Sequence, residues 1–124
     1  MSRKVYVTKE FTFDCAHFLN GYEGKCALMH GHTYKLQVTL YGTPKDNGIL
    51  MDFSEIKKLV EEEVINKLDH TCLNDFFGTF NTTAENLVVW IFDQIERAVL
   101  FKGVSVDNVK LWETPTCFTE YRGE

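Results

Sequence analysis

The chain has 124 residues, 44% hydrophobic and 25% charged, the balance of a single folded domain spanning 1–124. Its formal net charge is -5, and its lysines and arginines are scattered, which argues against a nucleic-acid partner. No segment approaches the roughly 18 consecutive apolar residues of a membrane-spanning helix, so we expect no membrane partner. The first residues lead into no signal-like apolar run, which favours a cytoplasmic protein with reduced cysteines.

Two alternating patterns near the start of the chain predict β-strands. From Val5 to His17, apolar and polar residues alternate, as in a strand with one buried face. A glycine-bearing turn at residues 20–24 follows. The next alternating run has its apolar positions at Tyr34, Leu36, Val38 and Leu40.

The hydrophobic period then changes to that of an α-helix in two segments. The first helix is expected to begin at Ser54, with Asp52 as its cap and a glutamate three residues after the cap. The second is expected to begin at Thr82 or Thr83, with the same capping pattern starting at Thr82, and to end before Gly103.

Strand character returns at residues 104–113 and 116–121, with Thr114-Pro115 as the reversal between them. The predicted order is strand, strand, helix, helix, strand, strand. Because strands and helices occur in blocks, the pattern indicates an α+β fold, a four-stranded antiparallel sheet with two helices on one face.

Three histidines form a candidate metal site. His30 and His32 are two residues apart in a strand, so their side chains leave the same face. His17 ends the preceding strand and comes within reach if the two strands form an antiparallel hairpin. Three imidazoles with an open fourth position are typical of catalytic zinc, which serves as a Lewis acid or acidifies a bound hydroxyl. The alternative is that these histidines are only polar surface.

Two cysteines lie near this candidate site in sequence. Cys26 precedes His30 by a short loop, and a nearby cation would favour its thiolate form. Cys26 could also be the fourth ligand, which would make the zinc structural. Cys15 shares the face of His17, but the phenylalanines in line with it are more typical of a small core residue.

Two further positions carry ionisable groups. Asp69 and His70 follow the first helix, where a carboxylate beside an imidazole could serve as a general acid or base, or only as a helix cap or solvated charge. Glu113 continues the inward-facing positions of the strand at 104–113, as a ligand anchor or as a rim residue.

Together these residues resemble a known family, the 6-pyruvoyl- and 6-carboxy-tetrahydropterin synthases. The resemblance covers nearly the whole chain and is carried by six segments in order. They are Phe13-Asp14-Cys15-Ala16-His17, the run from Cys26 to His30-Gly31-His32, Met51-Asp52-Phe53, Leu68-Asp69-His70, the run from Asn81 to Asn86, and Glu113-Thr114.

The resemblance implies a role for each candidate residue. Zinc is expected at His17, His30 and His32, the catalytic thiolate at Cys26, the remainder of a proton-transfer triad at Asp69 and His70, and the pterin contact at Glu113. Thr82 stands where the family often has proline, and Cys15 where a small residue such as alanine is common.

The resemblance also implies a reaction and an assembly. Three residues separate Cys26 from His30. This spacing resembles that of the 6-carboxy synthases, the branch of the family that serves queuosine biosynthesis. That branch converts 7,8-dihydroneopterin triphosphate and water to 6-carboxy-tetrahydropterin, acetaldehyde and triphosphate. The family's tunnelling fold (T-fold) joins three sheets edge to edge and stacks two such rings, so a homohexamer is expected. The alternatives are the 6-pyruvoyl branch, a non-catalytic zinc module with Cys26 as fourth ligand, and a pterin-binding protein without turnover.

Overall fold

The computed structural model describes residues 3–78 and 80–124, and of Cys26 it describes the backbone but not the side chain. Within these residues, no helix is both long enough and apolar enough to cross a membrane. The strands are β1 (Val5–His17), β2 (His30–Gly42), β3 (Thr71–Cys72), β4 (Ser105–Thr114) and β5 (Cys117–Tyr121).

The described strands form one sheet in the order β3-β1-β2-β4-β5. The four predicted strands pair antiparallel, and a fifth, β3, pairs parallel to β1 beside Cys15 and Ala16. The prediction of four strands was therefore wrong by one, because a two-residue strand is too short to show an alternating pattern. The α+β class with a mainly antiparallel sheet is confirmed.

The first predicted helix is continuous but changes its pitch. It comprises α1 (Phe53–Val60), a wider π-helical turn (Glu61–Ile65) and a final turn, α2 (Asn66–Leu68). The Asp52 side chain accepts a hydrogen bond of 2.8 Å from the backbone N–H of Ser54, which confirms Asp52 as the cap.

Two more helices follow, the short α3 (Leu73–Phe77) and the long α4 (Ala84–Val99). The short one was not predicted, so the expected count of two helices was too low. The cap of α4 is Thr83, whose hydroxyl accepts from the backbone N–H of Asn86 at 3.2 Å. The expectation that Thr82 is the cap was wrong, because Thr82 is fully buried and contacts the ring of His17 instead.

The hydrophobic core lies between one face of the sheet and the apolar sides of α1 and α4. Leu36 and Val38 of β2 are completely buried there, as are Ile91 and Ile95 of α4. The apolar face of β1 and β2 continues into the histidines at the strand ends. The core therefore forms the floor on which the candidate site is built.

Candidate metal centre and active site

The three predicted ligands meet at one end of the β1–β2 pair. In the antiparallel register His17 lies opposite His30 and Cys15 lies opposite His32, so the hairpin assumed from the sequence is confirmed. The three ring centroids are 4.6 to 5.1 Å apart. The pairing of the two strands thus brings three imidazoles that are separated in sequence into one cluster.

Backbone carbonyl groups orient two of these rings. Nδ1 of His17 lies 2.9 Å from the carbonyl oxygen of Thr82, and Nδ1 of His30 lies 2.7 Å from that of Leu28. A carbonyl oxygen only accepts hydrogen bonds, so each Nδ1 carries the proton and each Nε2 keeps its lone pair. This is the arrangement that metal-binding histidines need, with the outer nitrogen held by a neighbour.

Glu113 completes the cluster from β4. Its Oε1 lies 2.9 Å from Nε2 of His32 and 3.6 Å from Nε2 of His17. One potential ligand atom from each of these residues and one from His30 all lie within 4.8 Å of one another. The inward position predicted for Glu113 at the end of its strand is therefore confirmed.

The buried nitrogen atoms fit a cation at this place. Within the described part of the chain, Nε2 of His17 and of His32 is buried and forms no hydrogen bond. A carboxylate oxygen and an imidazole lone pair 2.9 Å apart repel each other unless a proton or a cation lies between them. Three imidazoles and one carboxylate form a donor set that suits zinc.

The pKa values of the cluster reflect its burial and its charges. Burial lowers the pKa of His32, and the neighbouring His17 and His30 lower it further, while Glu113 opposes them. The pKa of Glu113 is lowered, first by the His17 imidazole and then by the other two rings, against the effect of burial. Burial therefore disfavours the charged form of the His32 ring, and the surrounding rings favour the ionised form of Glu113.

Asp69 and His70 form a second group, separate from the three histidines. Nδ1 of His70 lies 3.0 Å from Oδ2 of Asp69. The backbone of Asp14 holds both residues, since its N–H donates to Oδ1 of Asp69 at 2.9 Å and its carbonyl accepts from the His70 N–H at 2.6 Å. The Asp14 N–H, followed by the His70 imidazole, lowers the pKa of Asp69 and keeps it ionised.

His70 adopts a left-handed backbone conformation with φ of 60°. Residues other than glycine rarely adopt it, and such conformations cost on the order of 1–3 kcal/mol. Strain of this kind concentrates at functional sites, where surrounding contacts hold it in place. Here the hydrogen bond to the Asp14 carbonyl provides that contact.

Two clefts lie beside these groups. A cleft of about 580 Å³ beside β1 and β2 includes both His32 and His70 in its lining. A second, of about 510 Å³ between the ends of β2 and β4, is lined by His32, Glu113 and Trp112, among others. His32 borders both clefts, whereas His17 and His30 border neither.

The structure describes the side chain of Cys15 but not that of Cys26. Cys15 is buried, and burial raises the pKa of its thiol to about 12, so it is held as a neutral core side chain, as its sequence neighbours indicated. Cys26 lies in a short 3₁₀ turn (Lys25–Ala27) that leads into β2. Its predicted role concerns a side chain outside the described part of the structure.

The sequence did not indicate two residues that support the site. Asp14 appeared only as a member of the first segment of the family resemblance, and its importance lies in backbone groups that no sequence pattern reveals. Thr82 was interpreted as a helix cap, although it contacts His17. The available signal was the pair Thr82-Thr83, because only one of two adjacent threonines can cap the helix.

Comparison with known proteins identifies the family. The family described as 6-pyruvoyl tetrahydropterin synthase matches residues 6–124. The chain belongs to this family. Membership indicates a lyase-type enzyme that binds a pterin substrate.

Similar curated proteins carry the names of both branches. The 6-carboxy-5,6,7,8-tetrahydropterin synthase of Haemophilus influenzae is 36% identical over 94% of this chain and 97% of that protein. The Synechocystis protein of the same name is 38% identical over 93% of this chain and 91% of that protein. The 6-pyruvoyl tetrahydrobiopterin synthase of Dictyostelium discoideum is 35% identical over the full length of both chains.

Solved structures confirm the T-fold. The 6-pyruvoyl tetrahydropterin synthase of Caenorhabditis elegans superimposes with a TM-score of 0.87 at 26% identity, covering 99% of this chain and 98% of that one. The Plasmodium vivax enzyme, at 21% identity and a TM-score of 0.78, shares the same fold.

Proposed function

We propose that this protein is a zinc-dependent 6-carboxy-5,6,7,8-tetrahydropterin synthase of queuosine (7-deazaguanine) biosynthesis. It would convert 7,8-dihydroneopterin triphosphate and water to 6-carboxy-tetrahydropterin, acetaldehyde and triphosphate. The observation that carries the proposal is the cluster of His17, His30 and His32 in a chain of the tetrahydropterin synthase family. The short interval between Cys26 and His30 and the two 6-carboxy relatives favour this branch.

The three histidines would hold Zn²⁺ through their Nε2 atoms. Bound zinc supplies Lewis acidity that lowers the pKa of a coordinated substrate hydroxyl. The carbonyl groups of Thr82 and Leu28 keep the protons of His17 and His30 on Nδ1, away from the metal side.

Proton transfer would be the task of Cys26 together with Asp69 and His70. Asp69 accepts from Nδ1 of His70, which leaves Nε2 of that ring to give or take a proton. The His70 side chain is 79% exposed, so substrate can approach it. Cys26 would serve as the base for a proton on the substrate side chain.

Glu113 would anchor the pterin ring. Its carboxylate borders the cleft between β2 and β4 and is partly exposed there. An ionised carboxylate accepts the N–H groups of a pterin edge in a pair of parallel hydrogen bonds. Its position beside His32 would place the side chain of a bound pterin over the histidine cluster.

A product assay tests the proposal. Purified zinc-loaded protein is incubated with 7,8-dihydroneopterin triphosphate, acetaldehyde is measured by coupled oxidation of NADH, and the pterin products are separated by chromatography. We expect acetaldehyde and 6-carboxy-tetrahydropterin in equal amounts. Absence of acetaldehyde would refute the proposal.

The same assay distinguishes the second candidate, 6-pyruvoyl-tetrahydropterin synthase. The full-length similarity to the Dictyostelium enzyme favours this candidate. It would release triphosphate and a pyruvoyl pterin without acetaldehyde. Pterin binding without any turnover would instead indicate a binding protein of the same fold.

A further inference from the structure

The carbonyl and the hydroxyl of Thr82 both face one ring nitrogen of His17. The carbonyl oxygen of Thr82 lies 2.9 Å from Nδ1 and its hydroxyl oxygen lies 3.3 Å from the same atom. Both residues are buried, with 0% of Thr82 and 1% of His17 exposed. Water therefore has little access to this contact.

The hydroxyl has a second partner, which determines the direction of its hydrogen bonds. Oγ1 of Thr82 lies 3.4 Å from the carbonyl oxygen of Phe18, which only accepts. The hydroxyl hydrogen is thus directed to Phe18, and the hydroxyl oxygen faces the His17 Nδ1–H as an acceptor. The ring proton is shared between two acceptors on one residue.

Thr82 also connects the ring to the start of the longest helix. It immediately precedes Thr83, the cap of α4, while His17 is the last residue of β1. By comparison, Nδ1 of His30 is bonded to the carbonyl of Leu28, which is only two residues away in the loop before β2. Of these two rings, His17 is the one whose Nδ1 is held by a residue distant in sequence.

We propose that Thr82 is a positioning residue, whose side-chain hydroxyl acts as a second acceptor beside its own carbonyl and so helps to hold His17 in the Nδ1-protonated form and in its orientation for the metal. This inference rests on the proposed function, because it requires His17 to be a zinc ligand. Groups that hold the outer nitrogen of a ligand histidine typically contribute about 10- to 100-fold to metal affinity. Any residue at this position would offer its backbone carbonyl as an acceptor for the His17 Nδ1–H. The threonine hydroxyl provides a second acceptor.

Zinc affinity of hydroxyl variants tests this assignment. Thr82→Val removes the hydroxyl at nearly constant volume and leaves the carbonyl, and Thr82→Ser retains the hydroxyl. Competition with a chromophoric chelator should show zinc affinity about 10- to 100-fold lower for Thr82→Val and close to the original protein for Thr82→Ser.

A second buried threonine provides the matched control. Thr39 is 8% exposed, and its hydroxyl is bonded to that of Thr8 at 2.8 Å, further along β2. Thr39→Val removes a buried hydroxyl in the sheet that carries His17 and should leave zinc affinity unchanged. An equal loss in both valine variants would show a general effect of destabilisation and would overturn the assignment, as would an unchanged affinity in Thr82→Val.

A second measurement is made on the original sequence and uses a variant only to assign the signals. In ¹⁵N-histidine spectra of the metal-free protein, with the His17 signals assigned by their loss in His17→Gln, we expect the proton of this ring on Nδ1. A ring protonated on Nε2 instead would refute the inference. If the original protein binds no zinc at all, the proposed function itself fails, which is a distinguishable result.

Discussion

The thiol of Cys26 distinguishes a catalytic zinc centre from a structural one. If Cys26 is a base, Cys26→Ala removes one proton-transfer group and leaves the three histidines intact. We expect the rate on 7,8-dihydroneopterin triphosphate to fall by at least about a hundredfold, with zinc content and melting temperature unchanged. Steady-state kinetics, elemental analysis and thermal unfolding of the same preparation measure these quantities.

Cys15→Ala is the matched control for this prediction. It removes a thiol that is buried in the core next to the site, so it should lower stability modestly and affect the rate much less. An active Cys26→Ala protein would contradict the mechanism. A Cys26→Ala protein that loses its metal and its stability together would show that the thiol is a structural ligand.

Glu113 lies close enough to the histidines to be either a substrate anchor or a metal ligand. If it anchors the pterin, Glu113→Gln should keep zinc and weaken substrate binding, because an amide cannot replace an ionised carboxylate that accepts two N–H groups. We expect KM to rise at least about tenfold, since a hydrogen bond to a charged group contributes roughly 1.5–3 kcal/mol. Elemental analysis and initial rates test this.

His30→Ala is the comparison for Glu113→Gln. It removes a ring nitrogen from the cluster and should release zinc. If Glu113→Gln loses zinc as His30→Ala does, Glu113 belongs to the metal and not to the pterin. Full zinc occupancy in His30→Ala would contradict the histidine assignment itself.

At the residue scale, the sequence predicted those parts of the site that lie in strands, because alternate residues of a strand point to the same face of the sheet. The alternation along β1, β2 and β4 brought His17, His32 and Glu113 onto one face, as the structure has them. It could not predict the backbone contacts of Asp14, because main-chain hydrogen bonds across a sheet edge leave no pattern in residue types. The left-handed conformation of His70 is equally invisible, since glycine is the residue that normally signals it.

At the element scale, the start of α4 brings two functions of neighbouring threonines together. Thr83 caps the helix through its hydroxyl, and Thr82 contacts His17. We expect Thr83→Ala to lower the free energy of unfolding by about 0.5–2 kcal/mol, because it leaves the Asn86 N–H without its cap. Denaturant titration measures this loss.

Thr83→Ser retains the capping oxygen and is the control. It should preserve most of the stability, while both Thr83 variants should keep the zinc affinity of the original protein. A Thr83→Ala protein as stable as the original would show that the cap contributes nothing. The long elements were predictable because their hydrophobic periods extend over many residues, whereas β3 and α3 are too short to establish one.

At the scale of the whole molecule, the sheet has two long edges. Among the described residues, β3 covers β1 only at Cys15 and Ala16, and β5 borders β4 alone. Apolar side chains lie exposed on both edge strands, with Tyr6 of β1 at 59% and Phe118 of β5 at 50%. Exposed strand edges with apolar side chains are usually paired or covered.

We therefore expect the chain to assemble by edge pairing into a homohexamer, a dimer of trimers. A closed ring leaves no strand edge exposed, which is the physical advantage of three sheets joined in a circle. Light scattering coupled to size exclusion at micromolar concentration should give about six times the chain mass of 14.4 kDa. Hydrogen exchange should show protected amides in β5 at the same concentration, including those directed away from β4. A monomer mass with rapid exchange along β5 would contradict the assembly, because unpaired edge amides exchange freely with water.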